Sequence, residues 1–439
     1  MMNLEKIFYI ILSTILVTVF ILFTFIFSPN EFNSTHSSKE KTIYFVDHIS
    51  KAHKKVIDLF NERYKGTIRV ETINLSFEKF STNERKELLA RYLRSKNNRI
   101  DIFSVDQIWV PRFAKWGVPL QGLLDPAEIK NVIPYALKTC IYDDSLVAIP
   151  LYIDIALMFY RDDLLKKLPD YDQIITNLNQ SITWEDFIAL SRKLVDKSSP
   201  FYLFQGDDYE GLICTFAELM ANQGNPIIDS AGTVLLDTPE GEKSLKFLHD
   251  LLYKYKVSPS RVAYLKENES YRYFAENNGI FLRGWPSMID DDNEFLSDEV
   301  RSKIKMAPLP HFEGSEPSSV FGGWNLMISK FSQRLPEVLK FTKFLLSKES
   351  QTIMFEEGGY LPINQELYQD TSFITKHPRL KFISKLYENG VHRPFLAEYT
   401  NVSDILSHYL NKAIKNEIGI KAALTEATKK INEKVILVK

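Results

Sequence analysis

The chain has very few cysteines, since its 439 residues include only Cys140 and Cys214. Neither belongs to a Cys-x-x-Cys pair or to a Cys/His cluster, so the sequence offers no zinc-binding motif. So few cysteines neither require nor exclude an oxidising compartment. We expect two buried free thiols, and a disulfide between them is the alternative.

The chain also lacks an excess of charge of one sign. Lys and Arg number 54 against 56 Asp and Glu, which gives a net charge of −2 at pH 7. Domains that bind nucleic acid usually carry a strongly basic face. The balance gives no electrostatic reason to expect a nucleic acid partner, and none is predicted.

The known sequence motifs of catalysis and cofactor binding are missing. There is no G-x-S-x-G, no P-loop, no G-x-G-x-x-G after a strand and no H-E-x-x-H. The acidic run "DDDNE" at 290–294 lacks the glycine and the distant glutamate of an EF-hand loop, so we interpret it as a solvated surface loop. These absences favour a binding protein over an enzyme, with no metal and no cofactor.

One long apolar run stands near the start of the chain. Residues 7–27 contain no charged side chain over 21 positions, and about 20 apolar residues span a bilayer. The run is longer than a signal-peptide core, and neither an A-x-A site nor a cysteine for lipidation follows it. We predict an uncleaved signal anchor at 1–28 and a flexible linker at 29–41, with the rest of the chain exported. A cleaved signal peptide is the alternative.

The exported part opens with alternating strand and helix patterns. The predicted elements are strands at 42–48, 67–75 and 99–106 and helices at 51–64 and 77–96. This alternation predicts a parallel sheet flanked by helices. Ligands of such sheets bind beyond the carboxyl ends of the strands. Asp106 and Trp109 lie just after such an end.

An apolar, extended run at 146–161 carries Asp154 in its centre. A buried carboxylate is costly unless it is hydrogen-bonded or faces a cleft. Tyr152 lies two residues earlier and therefore on the same face of a strand. The pairing favours a cleft, and an aspartate that caps a turn is the alternative.

Two tryptophans directly follow glycines, Trp285 in "FLRGWPSM" and Trp324 in "VFGGWNLMIS". Glycine lets a ligand or a bend approach the backbone, and tryptophan adds a flat apolar face with one polar edge. Each pair suits either a wall for a flat, hydroxylated ligand or a turn pinned onto the core. The sequence leaves both interpretations open.

Taken in order, these and neighbouring segments resemble the extracellular sugar-binding proteins of ABC transporters, the maltose-binding-like family. The segments are "DIFSVDQIWVPRFAKWGVPLQGL", "VAIPLYIDIALMFYRDDLL", "ITWEDFIALSRKL", "GIFLRGWPSM", "KMAPLP", "FGGWNLMIS", "GYLPIN" and "VHRPFLAEYTNVSDIL". The resemblance implies an α/β, two-lobed periplasmic-binding-protein-like fold of type II, in which the lobes close on a ligand by hinge motion.

The resemblance also implies domain boundaries. The expected ranges are 42–151 and 322–368 for lobe 1, and 152–321 and 369–439 for lobe 2. The chain is expected to cross between the lobes near residues 150–154, again before Gly322, and a third time after Asn364.

In this family aromatic rings stack on the apolar faces of sugars, while carboxylates and an arginine bind hydroxyls. By motif position, the ligand-binding residues that the resemblance implies are Asp106, Trp109, Tyr152, Asp154, Trp285, Gly323, Trp324 and Arg393. Arg393, which precedes Pro394, is the implied hydroxyl clamp. Trp184 begins a helical pattern and is expected to pack in the core.

The implied function is capture of a mono- or oligosaccharide between the lobes and its delivery to an ABC transporter permease. The site of action is outside the cytoplasmic membrane, to which the N-terminal helix tethers the protein. Two features depart from the family: the retained membrane helix, and Asn364 where relatives often carry a basic or hydroxyl residue. Two other interpretations stay open, a sensor or receptor for another polar solute and an exported enzyme with Asp106 and Asp154 as an acid/base pair.

Overall fold

The computed structural model describes residues 40–77, 79–96, 99–194, 199–290 and 295–436. The predicted anchor at 1–28 and the predicted linker up to residue 39 lie outside the described residues. Within the described ranges, no helix is both long enough and apolar enough to cross a membrane. The chain from Lys41 onward forms one compact unit.

The strands are β1 (Lys41–Asp47), β2 (Ile68–Asn74), β3 (Ile102–Asp106), β4 (Ile141–Tyr142), β5 (Ser145–Leu146), β6 (Ile149–Ile155), β7 (Leu157–Arg161), β8 (Tyr202–Leu203), β9 (Phe281–Gly284), β10 (Ile304–Ala307), β11 (Ser319–Ile328) and β12 (Gly390–Val391). The longer helices are α1 (Lys51–Arg63), α2 (Thr82–Arg94), α3 (Tyr171–Asn179), α4 (Trp184–Ser191), α5 (Glu210–Asn222), α6 (Pro239–Tyr253), α7 (Glu267–Glu276), α8 (Leu335–Leu346), α9 (Lys348–Gly358), α10 (Pro378–Leu386), α11 (Tyr399–Ile414) and α12 (Ile420–Asn432). Short α-helices span Val110–Phe113, Pro126–Lys130, Pro134–Lys138, Asp162–Leu165, Asp298–Arg301, Gln365–Gln369 and Thr371–Lys376.

The first sheet has the strand order β12-β11-β3-β1-β2, and β6 also pairs with β11. Strand β1 is parallel to both β2 and β3, so the predicted parallel arrangement of the first three strands is confirmed. All five residues of β3 are buried, as expected for a strand covered on both faces. Strand β11 runs antiparallel to both β3 and β6.

Capping residues set where the first two helices begin. The Ser50 side chain accepts a hydrogen bond from the backbone N–H of His53 at the start of α1. Helix α2 begins after Ser81, which forms a capping box with Glu84. A capping box satisfies two backbone donors at a helix N-terminus. This explains why α2 starts at Thr82, later than the hydrophobic pattern predicts.

The second sheet has the strand order β10-β7-β9-β8. Strand β7 lies antiparallel to β9 and to β10. The chain passes from the first sheet to the second at Ala156, between β6 and β7, and it returns between β10 and β11. The predicted single run at 146–161 is therefore two strands in two sheets. The exact lobe boundaries given above stay predictions.

The C-terminal tail, whose apolar residues recur at spacings of three and four, is not one continuous helix. It forms two helices, α11 and α12, that are separated by a turn. Asn416 adopts a φ of 62° in that turn, and asparagine tolerates this left-handed conformation better than most residues do.

The residues expected in the core are buried. Trp184 packs against Phe247 and Phe187, with ring centroids 4.8 Å and 5.6 Å away. Both cysteines, Cys140 and Cys214, are buried and unpaired. The expectation of free thiols is confirmed.

Candidate ligand-binding site

Three predicted site residues lie side by side on adjacent strands of the first sheet. Trp324 of β11 is opposite Asp106 of β3 on one side and opposite Tyr152 of β6 on the other. Residues directly opposite each other in antiparallel strands project to the same face of the sheet. The register therefore places an indole between a carboxylate and a phenol.

Gly323 makes the close approach of β11 to β6 possible. Its φ is +129°, and a Cβ at this position would lie 2.6 Å from the carbonyl oxygen of Tyr152. Only glycine adopts such a backbone conformation without strain. The register of the two strands also shifts directly after Trp324. Gly323 thus fixes where Trp324 projects.

Trp324 is held by an arginine and a phenylalanine. The Cζ of Arg85 lies 4.0 Å from the centroid of the Trp324 ring and 4.1 Å from that of Phe77. Phe77 also meets the indole edge-on, with centroids 5.4 Å apart. Arg85 donates from Nη2 to Oδ1 of Asp47 at 2.8 Å. These contacts leave the Trp324 side chain 8% exposed.

Tyr152 belongs to an aromatic cluster with Tyr360 and His53. Its ring centroid is 4.6 Å from that of Tyr360, which is 4.9 Å from that of His53. Burial, and then the nearby charge of Arg85, lower the pKa of His53 to about 3. The imidazole is therefore neutral at physiological pH.

Gly322 brings a residue of each sheet together. It lies opposite Asp154 in β6. A Cβ on Gly322 would be 2.9 Å from Cζ3 of Trp285 and 3.1 Å from the Cβ of Asp154. The missing side chain leaves room for the indole of the second sheet against the backbone of the first. This is one place where a glycine and a tryptophan fit each other, although they lie apart in sequence.

Asp154 and Trp285 are both half-buried. Burial raises the pKa of the Asp154 carboxyl to about 8, while a backbone hydrogen bond and the charge of Arg283 act in the opposite direction. A carboxyl with this pKa is largely protonated at pH 7. It then offers one O–H donor together with acceptor oxygens.

The guanidinium of Arg283 packs against the ring of Trp285. Its Cζ lies 4.4 Å from the centroid of the indole ring. The guanidinium donates to both carboxylate oxygens of Glu218, at 2.6 Å and 3.4 Å, and to Oε1 of Gln205 at 3.2 Å. Such a charge-assisted, forked pair fixes the plane of the arginine. The second sheet therefore holds Trp285 on a rigid base.

A second buried ionic cluster lies next to Asp106. Arg393 donates from Nη2 to Oδ1 of Asp106 at 3.1 Å and from Nη1 to Oε1 of Glu210 at 2.7 Å. Glu210 also accepts hydrogen bonds from Tyr399 and Ser403. Burial raises the pKa of Asp106, and Arg393 opposes that rise. Arg393 thus joins β3 of the first sheet to α5.

The comparisons with known proteins identify the family. Residues 45–352 match the model of the bacterial extracellular solute-binding proteins. The chain belongs to this family. Membership makes it an extracytoplasmic solute-binding protein of the type that serves ABC transporters, which confirms the resemblance stated above.

Individual relatives agree with the family assignment. A probable ABC transporter-binding protein of Deinococcus radiodurans is 25% identical over 81% of this chain and 83% of its own length. The maltose-bound MalE3 structure from T. maritima is 29% identical with a TM-score of 0.81, and the match covers 90% of this chain and 100% of that one. A tagatose-bound solute-binding protein of Thermotoga lettingae is 23% identical with a TM-score of 0.78, over 90% and 99% of the two chains. The predicted two-lobed α/β fold is confirmed.

Within this solute-binding protein, the predicted site residues fall into two groups. Five of them lie on the paired strands β6 and β11 or against them. Tyr152, Asp154, Gly323 and Trp324 belong to the two strands, and Trp285 lies against Gly322. The other three are buried beside that group, since Asp106 and Arg393 bind each other and Trp109 is 2% exposed. In this structure Arg393 has two nitrogens committed to carboxylates. The roles of all eight residues in ligand binding stay predictions.

Several residues that contact the predicted site residues, or the partners of those residues, were not predicted from the sequence. They are Asp47, Phe77, Arg85, Glu210 and Tyr360. Asp47 ends a parallel strand, as Asp106 does, so its position is a signal that was available. Tyr360 lies in the "GYLPIN" segment. Arg85 lies on a helix whose pattern gives no such indication.

Asn364, the position that departs from the family, has a structural role. Its side chain accepts a hydrogen bond from the backbone N–H of Glu366 at 2.9 Å and caps a short helix. The residue is buried. Among the described residues, no group of three or more His, Cys, Asp or Glu side chains is placed to hold a metal ion.

Proposed function

We propose that this protein captures a carbohydrate, a mono- or oligosaccharide, between its two sheets and delivers it to an ABC transporter permease. The observation that carries the proposal is the meeting of Trp285 and Asp154 at Gly322, beside Trp324. It brings the half-buried ring of Trp285, from the second sheet, to a carboxyl group of the first sheet. This is the chemistry that a sugar ring requires.

A pyranose has a face rich in C–H groups and a rim of hydroxyls. The apolar face gains hydrophobic and dispersion energy when it lies on an indole. Trp285 is half-buried, so part of its ring is open to such a contact. Asp154 and Trp285 both lie against Gly322. A sugar ring stacked on Trp285 would therefore have its hydroxyls within reach of Asp154.

The names of similar proteins support a carbohydrate. The T. maritima structure is described as maltose-bound and the Thermotoga lettingae structure as bound with α-D-tagatose. A further relative, from Halalkalibacterium halodurans, is named an arabinooligosaccharide-binding protein. The sugars differ in size and stereochemistry, so they support the ligand class and not one sugar.

The test is a thermal-shift screen of the purified full-length protein against mono-, di- and oligosaccharides. Any detergent used to keep the protein in solution should have no sugar headgroup, because an alkyl glycoside would compete with the sugars under test. A ligand that binds only the folded state, at a concentration of a hundred times its Kd, stabilises the protein by about 2.7 kcal/mol. We expect one class of sugar to raise the Tm.

Trp285→Ala is the matched variant, because removal of a half-buried ring changes the cleft more than the core. We expect it to abolish the sugar-induced shift. Tyr264→Ala is the control, since Tyr264 is a surface aromatic that is 55% exposed. No shift with any sugar, from well-folded protein, would overturn the carbohydrate ligand and leave a receptor for another polar solute.

Delivery to a permease and attachment to the membrane need separate tests. We infer from the family that the bound sugar leaves chemically unchanged, so incubation with a bound oligosaccharide should yield no product. Deletion of the gene should abolish uptake of that sugar by the cells.

We further propose that residues 7–27 tether the protein to the membrane. The intact mass of the protein from the membrane fraction tests this. A mass that lacks the N-terminal segment would show cleavage instead.

A further inference from the structure

An ion pair joins the turn that carries Trp285 to a helix on the other side of the cleft. Trp285 and Asp290 flank one short 3-10 helix that follows β9. Oδ1 of Asp290 accepts a hydrogen bond from Nη1 of Arg379, at the start of α10, at 2.9 Å. The Asp290 and Arg379 side chains are 16% and 24% exposed. A charge-assisted hydrogen bond that is largely shielded from water is stronger than an ordinary surface pair.

The loop after α9 leaves room for the Asp290 carboxylate. Gly359 adopts a φ of +67° there, and a Cβ at this position would lie 1.6 Å from Oδ2 of Asp290. Only glycine lacks a Cβ, so only glycine leaves this space open. The carboxylate thus lies in a notch of the backbone directly before Tyr360, whose ring packs against Tyr152.

Arg379 is attached to the elements that surround the first sheet. Its Cζ lies 5.2 Å from the centroid of Phe355 in α9. Nε2 of His377, which directly precedes α10, lies 2.9 Å from Oε1 of Glu356 in the same helix. Helix α9 packs against α1, and α1 packs against β2. Asp290 follows β9 of the second sheet, so the ion pair connects the surroundings of one sheet to those of the other.

A second contact crosses the cleft at another place. Asn268 of α7 donates from Nδ2 to the backbone carbonyl of Phe77 at 3.2 Å. Helix α7 packs against β9, whereas Phe77 packs against Trp324 of the first sheet. This bond joins two neutral groups, and such bonds contribute less than those to charged groups. The ion pair of Asp290 is therefore the stronger of the two connections.

Both contacts join protein atoms directly, so they favour the closed arrangement with any solute. We propose that Asp290, Arg379 and Gly359 form a latch that stabilises the closed cleft and slows release of the bound solute. The latch residues are positioning residues, because they act by keeping the turn of Trp285 against Gly322. The proposal rests on the proposed function only for the identity of the solute.

A distance measurement across the cleft tests the latch without any sugar. Lys54 of α1 and Asp298, after the turn of Asp290, are exposed, whereas both native cysteines are buried. Pulsed dipolar EPR on the full-length Lys54→Cys/Asp298→Cys protein, spin-labelled at both positions, gives the distribution of distances. Asp290→Asn keeps the shape of the side chain but removes its charge. It should raise the ratio of the longer-distance, open population to the closed one by about threefold to tenfold.

Asp163→Asn is the matched control, since it removes the same charge from an aspartate–arginine pair, with Arg161 at 2.8 Å, that lies on one side of the cleft. It should leave the distribution unchanged. Arg379→Gln should reproduce the effect of Asp290→Asn, and the double variant should add little, because both residues act through one bond. An unchanged distribution in Asp290→Asn, or an equal change in Asp163→Asn, would overturn the latch.

Release of a sugar gives a second measurement, made with a sugar that raises the Tm in the thermal-shift screen. In stopped-flow tryptophan fluorescence, Asp290→Asn should raise the dissociation rate constant by about threefold to tenfold with little change in the association rate constant, because the cleft must open before release. A slower association with unchanged dissociation would contradict the latch. If no sugar binds, the carbohydrate proposal fails, and the EPR distances still decide whether the latch exists.

Discussion

Trp285 and Trp324 each follow a glycine, and each has an arginine guanidinium over its ring. The Cζ of Arg283 is 4.4 Å from the centroid of Trp285, and that of Arg85 is 4.0 Å from the centroid of Trp324. Trp324 is buried, whereas Trp285 is half-buried. The same local sequence therefore gives a buried indole in the first sheet and a partly exposed indole in the second.

The two supporting arginines also differ in their partners. Arg283 is fully buried and donates to both oxygens of Glu218. Its guanidinium therefore has a carboxylate partner within the protein and needs none from a ligand. Arg85 has one carboxylate partner, Asp47, and retains two unpartnered nitrogens. A cation over a ring face contributes most where both groups are desolvated. We therefore expect Trp324 to matter most for stability and Trp285 for ligand binding.

The largest expected effect separates the two tryptophans by stability. Trp324→Ala should lower the free energy of unfolding by about 3–5 kcal/mol, because it removes a buried ring and leaves a cavity. Trp285→Ala should cost less than half as much. Urea denaturation monitored by far-UV circular dichroism measures both. Equal losses would mean that Trp285 is as much a core residue as Trp324.

The next effect tests the base under Trp285. Glu218→Gln removes the charge that balances Arg283 and should lower the free energy of unfolding by about 2–3 kcal/mol, since a buried cation is left uncompensated. Glu299→Gln is the control. It removes the same charge from an exposed pair with Lys303 and should leave the free energy of unfolding nearly unchanged, because exposed ion pairs contribute little. A small loss in Glu218→Gln would mean that water reaches Arg283.

The two adjacent glycines of β11 should separate folding from binding. Gly323→Ala should lower the free energy of unfolding by about 1–3 kcal/mol, because alanine is strained at a φ of +129° and its Cβ would meet the Tyr152 carbonyl. Gly322→Ala introduces a methyl group against Trp285 and Asp154 instead. It should lower the free energy less and weaken sugar binding more, as titration calorimetry would show. The reverse order would remove Gly322 from the proposed binding site.

Local patterns predicted much of the fold. The alternation of strand and helix at the start gave the parallel sheet, because each short element carries its own hydrophobic period. The helix predicted at 77–96 begins at Thr82 instead, because the hydrophobic pattern does not include the Ser81–Glu84 capping box. The two strands β6 and β7 were not separated, because both are apolar and only Ala156 lies between them.

The ionic partners of the site were not predictable in the same way. Arg393 bonds Asp106, 287 positions away in the chain, and Arg85 bonds Asp47 from a helix with no distinctive pattern. Such pairs depend on the three-dimensional arrangement of whole elements. The hypothesis of Arg393 as a hydroxyl clamp considered its donors but not the carboxylates that the fold brings to them. Trp109 similarly follows a strand end, yet its indole is buried.

The smallest expected effect concerns Asp154, the carboxyl beside Trp285. Its pKa in the folded protein is about 8, against about 3.9 in an unfolded chain. Between these values the folded state holds a proton that the unfolded state has released. The free energy of unfolding should therefore fall as pH rises from about 4 to 8. The slope should be a fraction of the limiting value of about 1.4 kcal/mol per pH unit, because Asp154 is only half-buried.

Asp154→Asn isolates this contribution, because asparagine does not titrate. The free energy of unfolding of the variant, relative to the original protein, should rise with pH between 5 and 8 in urea denaturation. His48 and His53, both with a pKa lowered to about 3, have the opposite effect. Their contribution to the free energy of unfolding is lost as pH falls below about 6.5. That loss is common to both proteins and cancels in the difference. A difference that does not vary with pH would show that Asp154 is ionised in the folded state, and its partner in the cleft would then be a donor rather than an acceptor.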